Sequence, residues 1–243
     1  MSNIKDLLEW LGNSGICIIF APPRTGKTAL LTALLNEFAF DYERNKKMRR
    51  QIEQLNENGF ELSIGQHCVY SNYDINFKKY RYSRRRSYMF NPYKYGFHNN
   101  KVDVFFTRPC GVFGITEGQK YFNSRKSKNY PDWQSRAFEQ CGHNELLFLI
   151  DVQRPMLIDL NIRELSKFIE VISLEKVYKH GRISKMTWKL RLIDNSFLLD
   201  RYLSGGREIK VPEIEMSINY CVFDLYGVPC CAVYGDYQYA VAE

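Results

Sequence analysis

One stretch, Ile16 to Leu31, limits what this 243-residue chain can fold into more than any other. It opens with the apolar run Cys17-Ile18-Ile19-Phe20 and breaks at Ala21-Pro22-Pro23-Arg24-Thr25-Gly26-Lys27-Thr28. It continues into Ala29 to Phe38, where Leu30, Leu31, Leu34 and Leu35 recur at helical spacing. A continuous apolar run bounded by a turn predicts a strand covered on both faces, and the periodic segment predicts a helix. A small residue, four free positions and then Gly-Lys-Ser/Thr, set between such a strand and helix, is the pattern of a phosphate-binding loop. Gly26 lets the backbone approach phosphate, and successive N–H groups at the helix start point into the nest. Lys27 is placed to pair with the β- and γ-phosphates, and Thr28 to put its hydroxyl on Mg2+. The nucleotide-contacting set is therefore Ala21, Pro22, Pro23, Arg24, Thr25, Gly26, Lys27, Thr28 and Ala29, with Thr28 as metal ligand. Ala21 stands where Gly is usual, and Arg24 takes a second position often held by Gly. Neither removes a donor, and Arg24 adds a charge that could reach a γ-phosphate. An ordinary surface turn carrying a lysine is the plain alternative, and the flanking strand and helix weigh against it.

The rest of the composition narrows the class. The length suits one large α/β domain, or one domain with an appendage. With 45 % hydrophobic and 25 % charged residues the chain is globular and not disordered. A net charge of +7 points to a polyanionic partner, or to surplus charge that is simply solvated. Cysteines stand at 17, 68, 110, 141, 221, 230 and 231. Their odd number and the lack of Cys-x-x-Cys units predict reduced thiols in a cytoplasmic compartment, with neither disulfides nor zinc. No apolar run approaches the roughly 18 residues that a membrane helix needs. Ile4, Leu7, Leu8 and Leu11 fall at helical spacing with charges between them, unlike a signal peptide. Membrane contact is expected to be peripheral or through a partner.

Along the chain, helices are expected from Ser2 or Asn3 to near Gly12, and from Tyr42 to Asn58, the latter rich in cations. Cys68 to Asn72, Val102 to Phe106, Gly111 to Ile115 and Leu146 to Val152 read as strands, Asp132 to Gln140 and Asp159 to Ile169 as helices. Period-two alternation over Glu170 to Val177 and Met186 to Ile193 predicts a hairpin turning at His180-Gly181-Arg182. Phe197 to Leu203 is a short helix closed by Gly205-Gly206. Lys78 to Tyr95 has the most unusual composition, cations interleaved with aromatics and no acid. Such a segment suits a surface that tracks a nucleic acid, with Lys78, Lys79, Arg81, Arg84, Arg85, Arg86 and Lys94 on phosphates and tyrosines stacking on bases. A solvated loop whose tyrosines pack locally is the alternative.

Hydrolysis needs an acid at the end of a neighbouring strand to orient water, and a polar group on a further strand to sense the γ-phosphate. Glu117, after Val112-Phe113-Gly114-Ile115, fits the first role, and Gln153, after Leu147-Phe148-Leu149-Ile150, fits the second. Ends of parallel strands face the phosphate loop, so both side chains could converge on one nucleotide. Solvated polar residues at strand ends are the alternative for each.

Ile115-Thr116-Glu117-Gly118-Gln119-Lys120-Tyr121-Phe122, followed by Ile150-Asp151-Val152-Gln153-Arg154-Pro155 with Asp159, Ile162 and Arg163, resembles the zonular occludens toxin family and the filamentous-phage assembly ATPases. These belong with the FtsK/HerA-type DNA-pumping and packaging ATPases. Tyr70-Ser71-Asn72 on the strand after the loop helix is similar too, and the resemblance covers roughly residues 15 to 170. It implies a RecA-like P-loop ATPase using ATP and Mg2+, a homo-oligomer with a hexameric ring as one form, DNA as partner, and phage or membrane assembly partners. By resemblance the catalytic residues are Lys27, Glu117 as water-activating carboxylate, Gln153 as sensor, and Arg154 or Arg163 as the arginine completing a neighbour's site. A solvated residue or a structural ion pair is the alternative for each arginine. Relatives usually carry Asp where this chain has Thr116, which supplies a hydroxyl without charge; Asp103 and Asp151 are the other carboxylates to consider. Extruding relatives tend to carry a membrane segment after the core, so its lack here points to packaging or DNA handling.

The expected fold is α/β, a RecA-like P-loop NTPase with a mainly parallel central sheet flanked by helices and a β-rich C-terminal extension. The core is expected over residues 1–170 with a basic-aromatic insertion at about 77–97, and a hairpin and extension packed on it over 171–243. The expected activity is that of an ATP-hydrolysing motor in DNA translocation, packaging or assembly of a phage or plasmid. A nucleotide-dependent DNA-binding or scaffold protein with little hydrolysis is the second reading, and a small-molecule kinase the third.

Overall fold

The computed structural model describes residues 4–77, 85–90, 108–125, 138–179, 182–205, 210–219 and 232–234. The central element is the strand expected before the loop, β1 (Gly15–Phe20), buried along nearly its whole length. Its residues serve two cores in alternation, as period two requires. Cys17 and Ile19 pack with α1 (Ile4–Leu11), α2 (Lys27–Ala39) and α3 (Tyr42–Glu57) on one face of the sheet. Ile16, Ile18 and Phe20 face the other core with Phe113, Phe148, Ile162 and Leu199. Burial on both faces is why β1 and β7 (Leu147–Val152) read as unbroken apolar runs.

Eight strands form the main sheet. β2 (Val69–Ser71), β5 (Tyr88–Met89), β6 (Val112–Ile115), β7, β1 and β8 (Ser166–Lys179) run parallel, in the spatial order β5-β2-β6-β7-β1-β8. β9 (Arg182–Ile193) and β10 (Glu213–Asn219) continue it antiparallel. Their junction is tied by Arg191, whose guanidinium donates to Glu213 at 2.8 Å and to Glu170 at 3.1 Å. A second, three-stranded sheet pairs β11 (Ala232–Tyr234), β3 (Ile75–Phe77) and β4 (Arg85–Arg86). The sheet is thus mainly parallel and flanked by helices, as expected.

Three expectations change. The helix expected from Asp159 to Ile169 is only Leu160–Glu164 (α4), because Ser166 to Ile169 instead hydrogen-bond along β1, with Ile16 opposite Ser166 and Ile19 opposite Ile169. Pairing with the free edge of β1 overrides a helical pattern once Phe168 and Ile169 have a core to enter. β8 runs unbroken from Ser166 to Lys179, and its hairpin with β9 is longer than the alternation indicated. In the basic-aromatic segment, Tyr88 packs half-buried against His67 and Tyr70 and Phe90 is buried against Phe113, the local packing that was the alternative to base stacking. The strand Val102 to Phe106, Asp103, most of the helix Asp132 to Gln140, and Lys78, Lys79, Arg81, Arg84 and Lys94 lie outside the described residues. α5 (Ser196–Leu203) closes the second core through Leu199.

Candidate nucleotide site

The loop between β1 and α2 sits at the C-terminal ends of the parallel strands, the edge where open α/β sheets bind ligands. Gly26 caps α2 in the left-handed region (φ 86°) with no side-chain cap, leaving the first-turn N–H groups to the loop's concavity. A Cβ there would also crowd β8, lying 3.2 Å from Leu174 Cβ, which side-chain rotation cannot move away. Arg24 is left-handed too, at φ 65°, which accounts for the usual Gly at that position. Ala21, by contrast, is buried and has no positive φ, so it needs no Gly. The Pro22 carbonyl accepts from Thr25 Oγ1 at 2.8 Å and from Lys27 Nζ at 2.9 Å. Lys27 is only 9 % exposed, and burial pulls its ammonium pKa down, opposed by the charge of Asp151. An anion in the loop would therefore find a cation that gains from its arrival.

Asp151 is the residue on which the strand ends meet. It is 3 % exposed at the end of β7 and accepts from Thr28 Oγ1 at 2.8 Å, from Thr116 Oγ1 at 3.1 and 3.3 Å, and from the Glu117 N–H at 2.8 Å. Burial pushes its carboxyl pKa up; the Glu117 amide, the Thr28 and Thr116 hydroxyls and the Lys27 charge oppose that. Asn72, just after β2, braces the same point: its amide donates to the Thr116 carbonyl at 3.0 Å and accepts the Thr116 N–H at 2.9 Å. The loop and the ends of β2, β6 and β7 are therefore one hydrogen-bonded unit.

Glu117 belongs to this unit through its backbone, left-handed at φ 53°, while its carboxylate pairs with Lys120. Gly118 follows because the chain there passes against β7, where a Cβ would lie 2.2 Å from Ile150 Cγ2. Gln153 and Arg154 are exposed just beyond β7. Arg163 is held within its own chain, donating from Nε to the Ile158 carbonyl at 3.2 Å and from Nη1 to Met156 Sδ at 2.8 Å. Arg85 and Arg86 lie in β4 opposite Phe77 and Asn76.

No family model and no curated protein matches the chain. Solved structures do. The N-terminal domain of zonular occludens toxin from Neisseria meningitidis is similar at 16 % identity and a TM-score of 0.44, over 87 % of this chain and 95 % of that one. The genome packaging NTPase B204 from Sulfolobus turreted icosahedral virus 2, in complex with ATP-gammaS, is similar at 9 % identity and a TM-score of 0.39, over 70 % and 78 %. B204 of Sulfolobus turreted icosahedral virus, a DNA-packaging ATPase, gives 13 % and 0.33 over 69 % and 78 %.

The donor set beside the loop, hydroxyls and a carboxylate, is of the hard oxygen type that suits Mg2+. Among the described residues no group of three or more His, Cys, Asp and Glu could hold a metal by itself, so a divalent ion at Thr28 would take most of its ligands from phosphate and water. No helix among the described residues is long and apolar enough to cross a membrane. In the sequence Asp151 stood only beside Asp103 as a further carboxylate to consider. Its signal was its place at the end of an apolar strand, one residue from Val152-Gln153.

Proposed function

We propose that this chain is an ATP-binding and ATP-hydrolysing motor that acts as a homo-oligomer in DNA translocation, packaging or assembly of a phage or plasmid. The observation that carries the nucleotide part is the unit just described: a loop with uncapped helix N–H groups and a buried lysine, joined through Thr28 and Asp151 to the strand end bearing Glu117. Lys27 would leave the Pro22 carbonyl for the β- and γ-phosphate oxygens, and Thr28 would hold the metal. Mg2+, when bound, neutralises charge on those oxygens. Glu117, released from Lys120, orients and takes a proton from the attacking water, and Gln153 reads the γ-phosphate from the neighbouring strand end. Arg154 is the better placed of the two arginines to complete a neighbour's site, since its side chain is exposed while Arg163 is engaged at home. The DNA part rests on the cationic run from Lys78 to Lys94 and the net charge of +7.

DNA-stimulated ATP turnover tests the reading. Lys27→Ala should abolish nucleotide binding, and Glu117→Gln should keep binding and lower turnover by about 100-fold or more, the usual scale of a general base. Unaltered turnover in both variants would sink the proposal. Binding of ATP without turnover, even with DNA and at high protein concentration, would favour a nucleotide-dependent scaffold instead.

A further inference from the structure

The resemblance expects a carboxylate at position 116, where this chain has Thr116; the structure places one on the adjacent strand. We propose that Asp151 is the carboxylate of the metal–nucleotide site, acting through the Thr28 hydroxyl and standing in on β7 for the charge that residue 116 lacks on β6. This rests on the nucleotide reading above.

Three features of the geometry carry it. First, direction: Thr28 Oγ1 donates to Asp151 Oδ2 at 2.8 Å, so its lone pairs are left for a cation and its oxygen is made more electron-rich. That is the job of a residue behind a metal ligand, which orients the ligand and raises its basicity. Second, position: Ile115 lies opposite Ile150 in the parallel register, so Thr116 follows one strand beside Asp151, and Thr116 Oγ1 turns to the Asp151 carboxylate. The hydroxyl at 116 thus serves the carboxylate at 151, and a carboxylate at 116 would face it as a like charge. Third, cost: Asp151 is 3 % exposed and takes three donors, the hydroxyls of Thr28 and Thr116 and the Glu117 amide, all arranged for an acceptor. A buried carboxylate serving packing alone would be replaced at little cost by an apolar residue; this one is wired to the single side chain of the loop whose role is metal binding.

Asp151 is therefore a positioning residue, and the two sites 116 and 151 are alternatives for one negative charge. The test is equilibrium binding of a fluorescent ATP analogue, with Mg2+ and with chelator, together with the Mn2+ resonance spectrum of the nucleotide complex. In the wild-type chain Mg2+ should tighten binding. Asp151→Asn should keep the affinity in chelator while losing about 10- to 100-fold of metal-dependent tightening, the scale of lost support behind a metal ligand. The exchanged pair, Thr116→Asp with Asp151→Thr, should recover most of that tightening and change the Mn2+ spectrum; Thr116→Asp alone should not improve on wild type. Full metal-dependent tightening in a folded Asp151→Asn variant overturns the proposal, as does an exchanged pair that binds nucleotide in chelator but gains nothing from Mg2+. Failure of the wild-type chain to bind nucleotide at all would overturn the nucleotide reading, and this inference with it.

Discussion

Replacing Gly26 by alanine separates the two constraints that meet at the phosphate loop. The backbone there is left-handed, at φ 86°, and the added methyl would sit 2.6 Å from Leu174 Cδ2 and 3.2 Å from Leu174 Cβ. Rotation of the Leu174 side chain relieves the first contact but not the second, because Cβ is fixed by the strand. A left-handed alanine costs about 1–2 kcal/mol, and overpacking of this kind about 1–3 kcal/mol. Reduced freedom of the unfolded chain returns about 0.4–1 kcal/mol. The net expectation is a loss of about 1–4 kcal/mol, a large share of the about 5–15 kcal/mol of a typical domain. Urea unfolding of wild type, Gly26→Ala, Leu174→Ala and the double variant gives the coupling directly. The two sites should couple by about 1–3 kcal/mol, since one crowds the other. A Gly26→Ala loss below about 0.5 kcal/mol, or strict additivity with Leu174→Ala, would refute the reasoning that the hairpin is packed on the loop.

Other perturbations probe the remaining loop and strand ends. Arg24→Gly should be neutral to stabilising, since relief of about 1–2 kcal/mol at φ 65° exceeds the about 0.5–1 kcal/mol that glycine costs in the unfolded chain; a lower urea midpoint would contradict that. Lys120→Ala should leave stability within about 0.5 kcal/mol, because the pair with Glu117 is exposed, while raising basal ATP turnover; unchanged turnover would mean that Lys120 does not hold Glu117 back. Asp151 has a folded pKa raised above its unfolded value, so the folded state binds its proton more readily and this group's contribution to stability falls as pH rises through that window. Asp151→Asn should therefore gain on wild type in thermal unfolding as pH rises from acid towards neutral, and a gap that narrows instead would contradict the sign.

How much of this was legible beforehand follows from sequence distance. β1, the loop and α2 are contiguous, so one pattern contained strand, turn and helix together. β6 and β7 were legible as apolar runs, but not their order: that β7 lies between β1 and β6, and so brings Asp151 to Thr28, is a property of the sheet. Arg44 shows the same limit. Read as one cation of a polar helix, it is buried, its guanidinium donating to the carbonyls of Asn13, Cys110 and Glu145 at 2.8 Å each. Carbonyl partners leave no trace in composition. The packing of Tyr88 was illegible for a related reason, since alternation with cations does not say which rings meet His67 and Tyr70 and which meet solvent.

The hairpin of β8 and β9 has a further consequence for how such a chain can vary. Val171 to Lys179 continue past Phe20, the last residue of β1, so the hairpin leans over the loop. Leu174 from one arm touches Gly26, and Trp188 Nε1 from the other donates to the Gly26 carbonyl at 3.3 Å. Because side chains alternate along a strand, inserting one residue between Glu170 and Leu174 would turn Leu174 to the opposite face. The root of the hairpin is therefore fixed in register by the loop. Beyond the pair Glu175 and Thr187, Ile183 and Met186 are buried in the core and Met186 pairs with Ile218 of β10, so a change of length there would also move buried side chains and shift β10. A hairpin held in register at the loop, in the core and on β10 carries a shift at any one of these places to the backbone of Gly26.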